Sequence, residues 1–143
     1  MRILAICILC VLLAAPATSA EVAVIAHPSV PASEISKSHL LDIFTGDVKE
    51  WKNGEPVIIV DLKPRSDVKE AFYDYLGKSS SRMKSIWMRN MLTGEGTPPE
   101  SLESQAEILE RVKNTPGAIG YVNRELVADG VITLRIIQFG ESE

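Results

Sequence analysis

The feature that most constrains the fold is an apolar run that leads directly into a capped amphipathic segment. Residues 56–62, PVIIVDL, lack polar alternation, which is typical of a strand covered on both faces. Residues 66–77, SDVKEAFYDYLG, place their apolar side chains at helical spacing, with Ser66 as N-cap and Gly77 as C-cap. A buried strand followed at once by a helix predicts an α/β fold.

The rest of the chain repeats this alternation. Further strands are predicted at EVAVIAH (21–27), AIGYV (118–122) and VITLRIIQF (131–139). Further helices are predicted at SKSHLLDIFTG (36–46), SSRMKSIWMRNMLTG (80–94) and around SLESQAEILERVKN (101–114). We therefore expect three α/β/α layers, with a mostly parallel sheet between helices on both faces.

Residues 1–20, MRILAICILCVLLAAPATSA, have the pattern of a secretory signal peptide: a positive charge, an apolar run and then small residues. We expect cleavage near Ala20, which leaves residues 21–143 as a single periplasmic or secreted domain without a membrane span. An uncleaved N-terminal membrane anchor is the alternative. Because Cys7 and Cys10 both lie in this segment, the mature chain has no thiol for catalysis or metal binding.

Charge and motifs exclude several function classes. The formal net charge is −4, and no basic cluster with interleaved aromatic residues occurs, so we expect no nucleic-acid binding. The nucleophile-elbow, zinc-protease, phosphate-loop and dinucleotide-binding motifs are missing from the sequence. Of the two histidines, His27 follows a predicted strand and is a weak site candidate, whereas His39 is expected in solvent. We therefore predict a protein without catalysis, cofactor or metal.

One group of residues points to anion binding. In open α/β sheets ligands bind beyond the carboxyl ends of strands, where helix N-termini present free N–H groups. We expect the loops after His27 and Asp61 and before Ala118 to lie there. Ser66 begins the strongest helix, and Lys63 and Arg65 stand beside it.

The alternative is that Ser66 only caps its own helix, and spacing alone favours this role. Asp67 also counts against an anion, since its carboxylate already occupies the favourable position in the first turn.

Several motifs together resemble a known family. LLDIFTGDVKEWKNGEPVIIV, AFYDYLG, WMRNMLTGEGTPPE and VKNTPGAIGYV resemble, in that order, the phosphate-type periplasmic substrate-binding proteins of ABC transporters, which have the type 2 periplasmic-binding-protein fold. The resemblance covers roughly residues 22–124. Since the family's full proteins have two lobes, it implies that this chain is a short, single-lobe member.

The phosphate motif of the family is only partly present. In the family an arginine, followed by Ser-Gly-Thr at a helix start, holds the phosphate. Ser66 matches the serine, whereas Asp67 and Val68 replace the glycine and threonine, and Leu62 stands in place of the arginine. Lys63 and Arg65 are the residues that could compensate.

The resemblance implies a domain that binds a small anion, phosphate above all, and performs no chemistry. The ligand-binding residues that we expect are Ser66, Arg65, Lys63, Asp67, Thr45 and Ser29. A second copy of the chain or an envelope protein would supply the facing wall of the site. The alternative is an accessory subunit of an envelope complex, which keeps the fold but binds no ligand.

Overall fold

The computed structural model describes residues 20–140. Residues 1–19, which contain nearly all of the predicted signal peptide, lie outside the described residues, as do residues 141–143. Between residues 20 and 140, no helix combines the length and the apolar character that crossing a membrane requires.

Strands and helices alternate as the sequence predicts. The strands are β1 (Glu21–Ala26), β2 (Ile58–Leu62), β3 (Glu100–Leu102), β4 (Ala118–Asn123) and β5 (Ile132–Gln138). The helices are α1 (Lys37–Phe44), α2 (Asp67–Leu76), α3 (Ser80–Leu92) and α4 (Gln105–Asn114), and a 3-10 turn (Arg124–Leu126) follows β4. The short edge strand β3 was not predicted, because a run of three residues with one apolar side chain gives no strand signal.

The sheet has the strand order β3-β2-β4-β1-β5. Strand β2 pairs in parallel with β3 and with β4, whereas β1 pairs antiparallel with both β4 and β5. The predicted α/β class and mostly parallel sheet are therefore confirmed, with β1 as the reversed strand. Because β1 is reversed, the loop after His27 lies at the edge where β2 and β4 begin. The loop before Ala118 leads into β4 and lies at that same edge, so the predicted place of both loops beside the loop after Asp61 is wrong. The backbone N–H of His27 donates a hydrogen bond to the carbonyl oxygen of Ala118, the first residue of β4.

Two successive residues of β4 show how the layers are arranged. Successive side chains of a strand point to opposite faces of the sheet. Tyr121 stacks on Phe72 of α2 with ring centroids 4.1 Å apart, and Phe44 of α1 packs edge-on against Phe72 at 4.8 Å. On the other face, a Cβ atom at Gly120 would lie 3.0 Å from the side chain of Ile108 in α4. Helices therefore cover both faces, which confirms the predicted three layers.

The turn before β4 requires a glycine. Gly117 has a φ of +79°, and a Cβ atom there would lie 2.2 Å from the carbonyl oxygen of Pro56. The indole nitrogen of Trp51 donates a hydrogen bond of 2.9 Å to the carbonyl oxygen of Gly117. The loop before β2 and the turn before β4 are thus fastened together, which fixes the start of two neighbouring strands.

Candidate functional site

A cleft of about 550 Å³ opens where β2 ends, between α2 and α3. We call it the β2 cleft and define its polar wall by five residues: Asp61, Lys63, Arg65, Lys69 and Lys84. Asp61 belongs to β2, the next two residues to the loop that follows it, Lys69 to α2 and Lys84 to α3. Four positive side chains and one carboxylate therefore line the same cleft. The cleft includes the carboxyl end of β2, and ligands of parallel sheets bind beyond the carboxyl ends of strands.

The carboxylate of Asp61 is held by donors from three elements. Tyr121 of β4 donates to Oδ1 at 2.6 Å, and the backbone N–H of Leu62 donates to the same oxygen at 2.8 Å. The hydroxyl of Tyr73, from α2, donates to Oδ2. The carboxylate is therefore oriented by strong, charge-assisted hydrogen bonds, and much of its acceptor capacity is used inside the protein.

Both phenols are held in their protonated form. Burial is the main cause that raises the pKa of the Tyr73 hydroxyl well above its ordinary value, and the charge of Asp61 raises it further. The same two causes, in the same order, raise the pKa of Tyr121. Both hydroxyl groups therefore remain donors to Asp61 at neutral pH and also well above it.

The four cations of the β2 cleft differ in what already holds them. Lys69 donates to the carbonyl oxygen of Leu62 at 2.6 Å, and Lys63 forms a 3.0 Å ion pair with Glu103 at an exposed position. Neither Arg65 nor Lys84 has a side-chain hydrogen bond or ion pair within the described part of the chain. Arg65 and Lys84 are therefore the cations whose donors are available to a ligand.

Two helices begin near the β2 cleft, and each has its own serine cap. The hydroxyl of Ser66 accepts a 3.3 Å hydrogen bond from the backbone N–H of Lys69 in α2. Ser79 caps α3 in the same way. The next two residues, Ser80 and Ser81, line the cleft, so the positive end of the α3 dipole lies beside it.

A second wall of the β2 cleft is apolar. It consists of Met83, Trp87, Met88 and Met91 of α3, together with Pro98 and Pro99. The indole N–H of Trp87 donates to the carbonyl oxygen of Phe44 at 2.9 Å. The side-chain amide of Asn90 donates to the carbonyl oxygen of Thr45 at the same distance. These two bonds fasten α3 to the end of α1, and they fix the position of the apolar wall.

The structure brings together only some of the residues predicted from the sequence. Lys63 and Arg65 line the β2 cleft, and Ser66 and Asp67 follow them along the chain at the start of α2. Thr45 lies at the C-terminus of α1, where its hydroxyl donates to the carbonyl oxygen of Leu41 at 2.8 Å. Its hydroxyl therefore bonds the backbone at the C-terminal end of α1.

Ser29 lies at the opposite edge of the sheet from the β2 cleft. Its hydroxyl donates to Glu55 at 2.8 Å and accepts from the backbone N–H of Gly117 at 3.1 Å. Its backbone N–H donates to Nδ1 of His27 at 3.0 Å. Ser29 and His27 thus connect three loops at the amino-terminal edge, and the predicted grouping of Ser29 with Ser66 is wrong because β1 is reversed.

Most residues of the polar wall could not be identified from the sequence. Asp61 carried the one usable signal, because a charged residue inside an otherwise apolar strand needs a partner. Its partner Tyr121 is 60 residues away along the chain, and Lys84 looks like an ordinary solvent-facing residue of a helix. In the described part of the chain, no group of three or more histidine, aspartate or glutamate side chains is placed to hold a metal ion.

Comparison with known proteins agrees with this architecture. No protein-family model matches the chain. It is 29% identical over 110 residues to the phosphate-binding protein PstS of Bacillus subtilis (strain 168), a match that covers 75% of this chain and 32% of that protein. The chain therefore spans about a third of the length of this relative.

Solved structures show the same fold. A phosphate ABC transporter substrate-binding protein from Clostridium perfringens, with bound phosphate, matches 81% of this chain and 44% of its own, with a TM-score of 0.67 at 21% identity. An ABC-type phosphate transport receptor from Vibrio cholerae matches 87% of this chain and 58% of its own, with a TM-score of 0.66 at 12% identity. The predicted resemblance to phosphate ABC transporter substrate-binding proteins is confirmed, and the partial coverage fits a single lobe.

Proposed function

We propose that this chain is an exported binding-protein lobe that binds phosphate, or a similar small oxyanion, in the β2 cleft and performs no catalysis. The observation that carries the proposal is the charge of that cleft, which is lined by four cationic side chains and one carboxylate, with Arg65 and Lys84 unengaged by other side chains in the described part of the chain. The relatives support it, since those described above are named as phosphate-binding or phosphate-transport proteins.

Arg65 and Lys84 supply the binding energy in this proposal. Arg65 offers a planar fork of donors that matches two oxygens of an oxyanion, and Lys84 offers a point charge from the other side of the cleft. The amino end of α3 adds a favourable dipole. Because Asp61 already accepts hydrogen bonds from Tyr73 and Tyr121, these donors partly offset its negative charge, and it repels the ligand less.

A single lobe contacts an anion from one side. The affinity for the anion is then lower, because an open cleft leaves the ligand partly hydrated and lets salt screen its attraction to the cations. We propose that a second copy of the chain or an envelope protein supplies the facing wall in the periplasm or outside the cell. The predicted signal peptide, residues 1–20, supports export.

One observation favours a different function, that of an accessory subunit that binds another protein. Helix α3 exposes apolar side chains, with Met88 46%, Met91 47% and Leu92 77% exposed. Adjacent exposed apolar side chains mark interaction surfaces. This alternative predicts that phosphate does not bind and that substitution of Leu92 by serine releases a partner that co-purifies with the wild type.

Calorimetric titration of the purified protein with phosphate tests the proposal. We expect binding in the wild type and about a tenfold loss of affinity in both Arg65→Gln and Lys84→Gln, because each removes a charge-assisted contact. Lys52→Gln is the matched control, since Lys52 is exposed near Trp51, away from the cleft. Absence of phosphate binding in the wild type, or an equal loss in the control, would contradict the proposal.

A further inference from the structure

We infer that the preferred ligand of the β2 cleft is a phosphate monoester that carries an apolar group, rather than inorganic phosphate. The inference depends on the proposed function, because it assumes that the polar wall binds the phosphate group. It adds a role for the apolar wall of the β2 cleft, which a bare oxyanion would not contact.

The size of the β2 cleft is the first argument. Its volume of about 550 Å³ falls within the range of sites that hold organic ligands, roughly 300–1,000 Å³. Inorganic phosphate, with one phosphorus and four oxygen atoms, contacts only the polar wall of a cleft this large. The remaining space lies along α3 and the Pro98–Pro99 segment.

The order of residues along α3 is the second argument. Lys84, Met88 and Met91 follow one another at spacings of four and three residues, so they lie on one side of the helix. The charged residue is nearest the amino end of α3, and the two methionines follow toward its carboxyl end. A ligand whose anionic head contacts Lys84 would therefore place its substituent over Met88 and Met91.

The exposure of this wall is the third argument. Met88 and Met91 are about half exposed, so they offer apolar surface that a ligand can cover. Methionine side chains adapt to ligands of irregular shape.

Another part of the apolar wall, formed by Trp87, Pro98 and Pro99, is pre-organised. The indole of Trp87 is held by its bond to Phe44, and a Cβ atom at Gly46 would lie only 2.8 Å from its ring. Two successive prolines, Pro98 and Pro99, restrict the backbone beside it. This part of the wall is held in place before binding, so it loses little conformational entropy when the ligand arrives.

Calorimetric titration with methyl phosphate and phenyl phosphate isolates the effect of the apolar group. We expect phenyl phosphate to bind about tenfold more tightly than methyl phosphate, because the ring covers apolar surface on α3. In Met88→Gln/Met91→Gln this ratio should fall to about one, while methyl phosphate keeps its affinity within about twofold. Both positions are half exposed, so the variant should fold, and an unchanged melting temperature verifies this.

The outcomes separate this inference from the proposed function. If the two esters and inorganic phosphate bind the wild type equally, the inference fails and the proposed function stands. If phenol binds as tightly as phenyl phosphate, and Arg65→Gln changes the affinity for neither compound, the polar wall binds no anion. The proposed function then fails. If Met88→Gln/Met91→Gln still binds phenyl phosphate about tenfold more tightly than methyl phosphate, the inference is also overturned. The phenyl ring would then lie away from these two methionines.

Such a monoester could be a free metabolite or the headgroup of a lipid. Sedimentation with phosphatidylcholine vesicles, with and without phosphatidic acid, distinguishes the two sources. Sedimentation that requires phosphatidic acid and is lost in Met88→Gln/Met91→Gln supports the lipid. Phenyl phosphate binding without sedimentation supports a free ester, and sedimentation with both vesicle types contradicts recognition of the phosphate group.

Discussion

Tyr121 donates a hydrogen bond of 2.6 Å to Oδ1 of Asp61 across the parallel pair of β4 and β2. Tyr73 donates to the other carboxylate oxygen from α2, so Asp61 joins two strands of the sheet to the helix layer above them. The polar wall of the β2 cleft therefore begins at a rigid point. The stability of the protein, and its dependence on pH, can both be predicted from the hydrogen bonds among Asp61, Tyr73 and Tyr121.

Tyr121→Phe should lower the free energy of unfolding by about 1.5–3 kcal/mol, because it removes a hydrogen bond to a charged group. The substitution keeps the ring, and hence the stacking on Phe72 at 4.1 Å. Urea denaturation measures the change. The matched test is the same substitution in Asp61→Asn, where the cost should shrink because the charge is gone. A cost below about 0.5 kcal/mol in the wild-type background would contradict a role for this bond.

Stability should fall as the pH rises above about 10. Burial and the charge of Asp61 raise the pKa values of Tyr73 and Tyr121 in the folded protein, whereas both phenols have ordinary pKa values when unfolded. The unfolded chain therefore loses its phenolic protons first, so the stabilisation is complete below that pH and is lost above it. Urea denaturation between about pH 8 and pH 11 should show a steeper loss in the wild type than in Tyr73→Phe/Tyr121→Phe. Equal slopes would contradict the prediction.

Gly117→Ala should destabilise the protein by at least about 3 kcal/mol, since it combines positive φ with a steric clash. The new Cβ atom would lie 2.2 Å from the carbonyl oxygen of Pro56. Gly54→Ala is the matched control, because Gly54 has a similar φ of +82° but no atom within 4 Å of the new Cβ. It should cost only about 1–2 kcal/mol. Thermal and urea unfolding of both variants measure the difference, and equal costs would mean that the turn relaxes away from Pro56.

The parts of the fold that could be predicted from sequence are those with local signals. Helix α2 begins after Ser66, and Gly77 ends it with a φ of 74°, as the capping residues predict. The direction of β1 could not be predicted, because an apolar run has the same pattern in either direction. That one reversal moves Ser29 and His27 away from the edge where the β2 cleft opens.

The residues of the candidate site also divide into those with a local sequence signal and those without one. Lys63 and Arg65 were found because they follow β2 directly along the chain. Lys84 and Tyr121 were missed because helix packing and strand pairing, which no local pattern records, bring them to Asp61 and the cleft. Through Ser66, the resemblance pointed to the end of β2 where the β2 cleft opens, but it gave no indication of the apolar wall.

Ser66→Ala separates the two roles that the sequence leaves open for this serine. Its hydroxyl accepts a hydrogen bond from the backbone N–H of Lys69 and caps α2, so we expect a loss of about 1 kcal/mol in the free energy of unfolding. Because the β2 cleft is lined by its neighbour Arg65 and not by Ser66, phosphate affinity should stay within about twofold of the wild type. Urea denaturation and calorimetry on the same preparation measure both quantities, and Ser79→Ala at the start of α3 is the matched cap control. A loss of phosphate affinity as large as that of Arg65→Gln, without a larger loss of stability than in Ser79→Ala, would place the Ser66 hydroxyl on the anion instead.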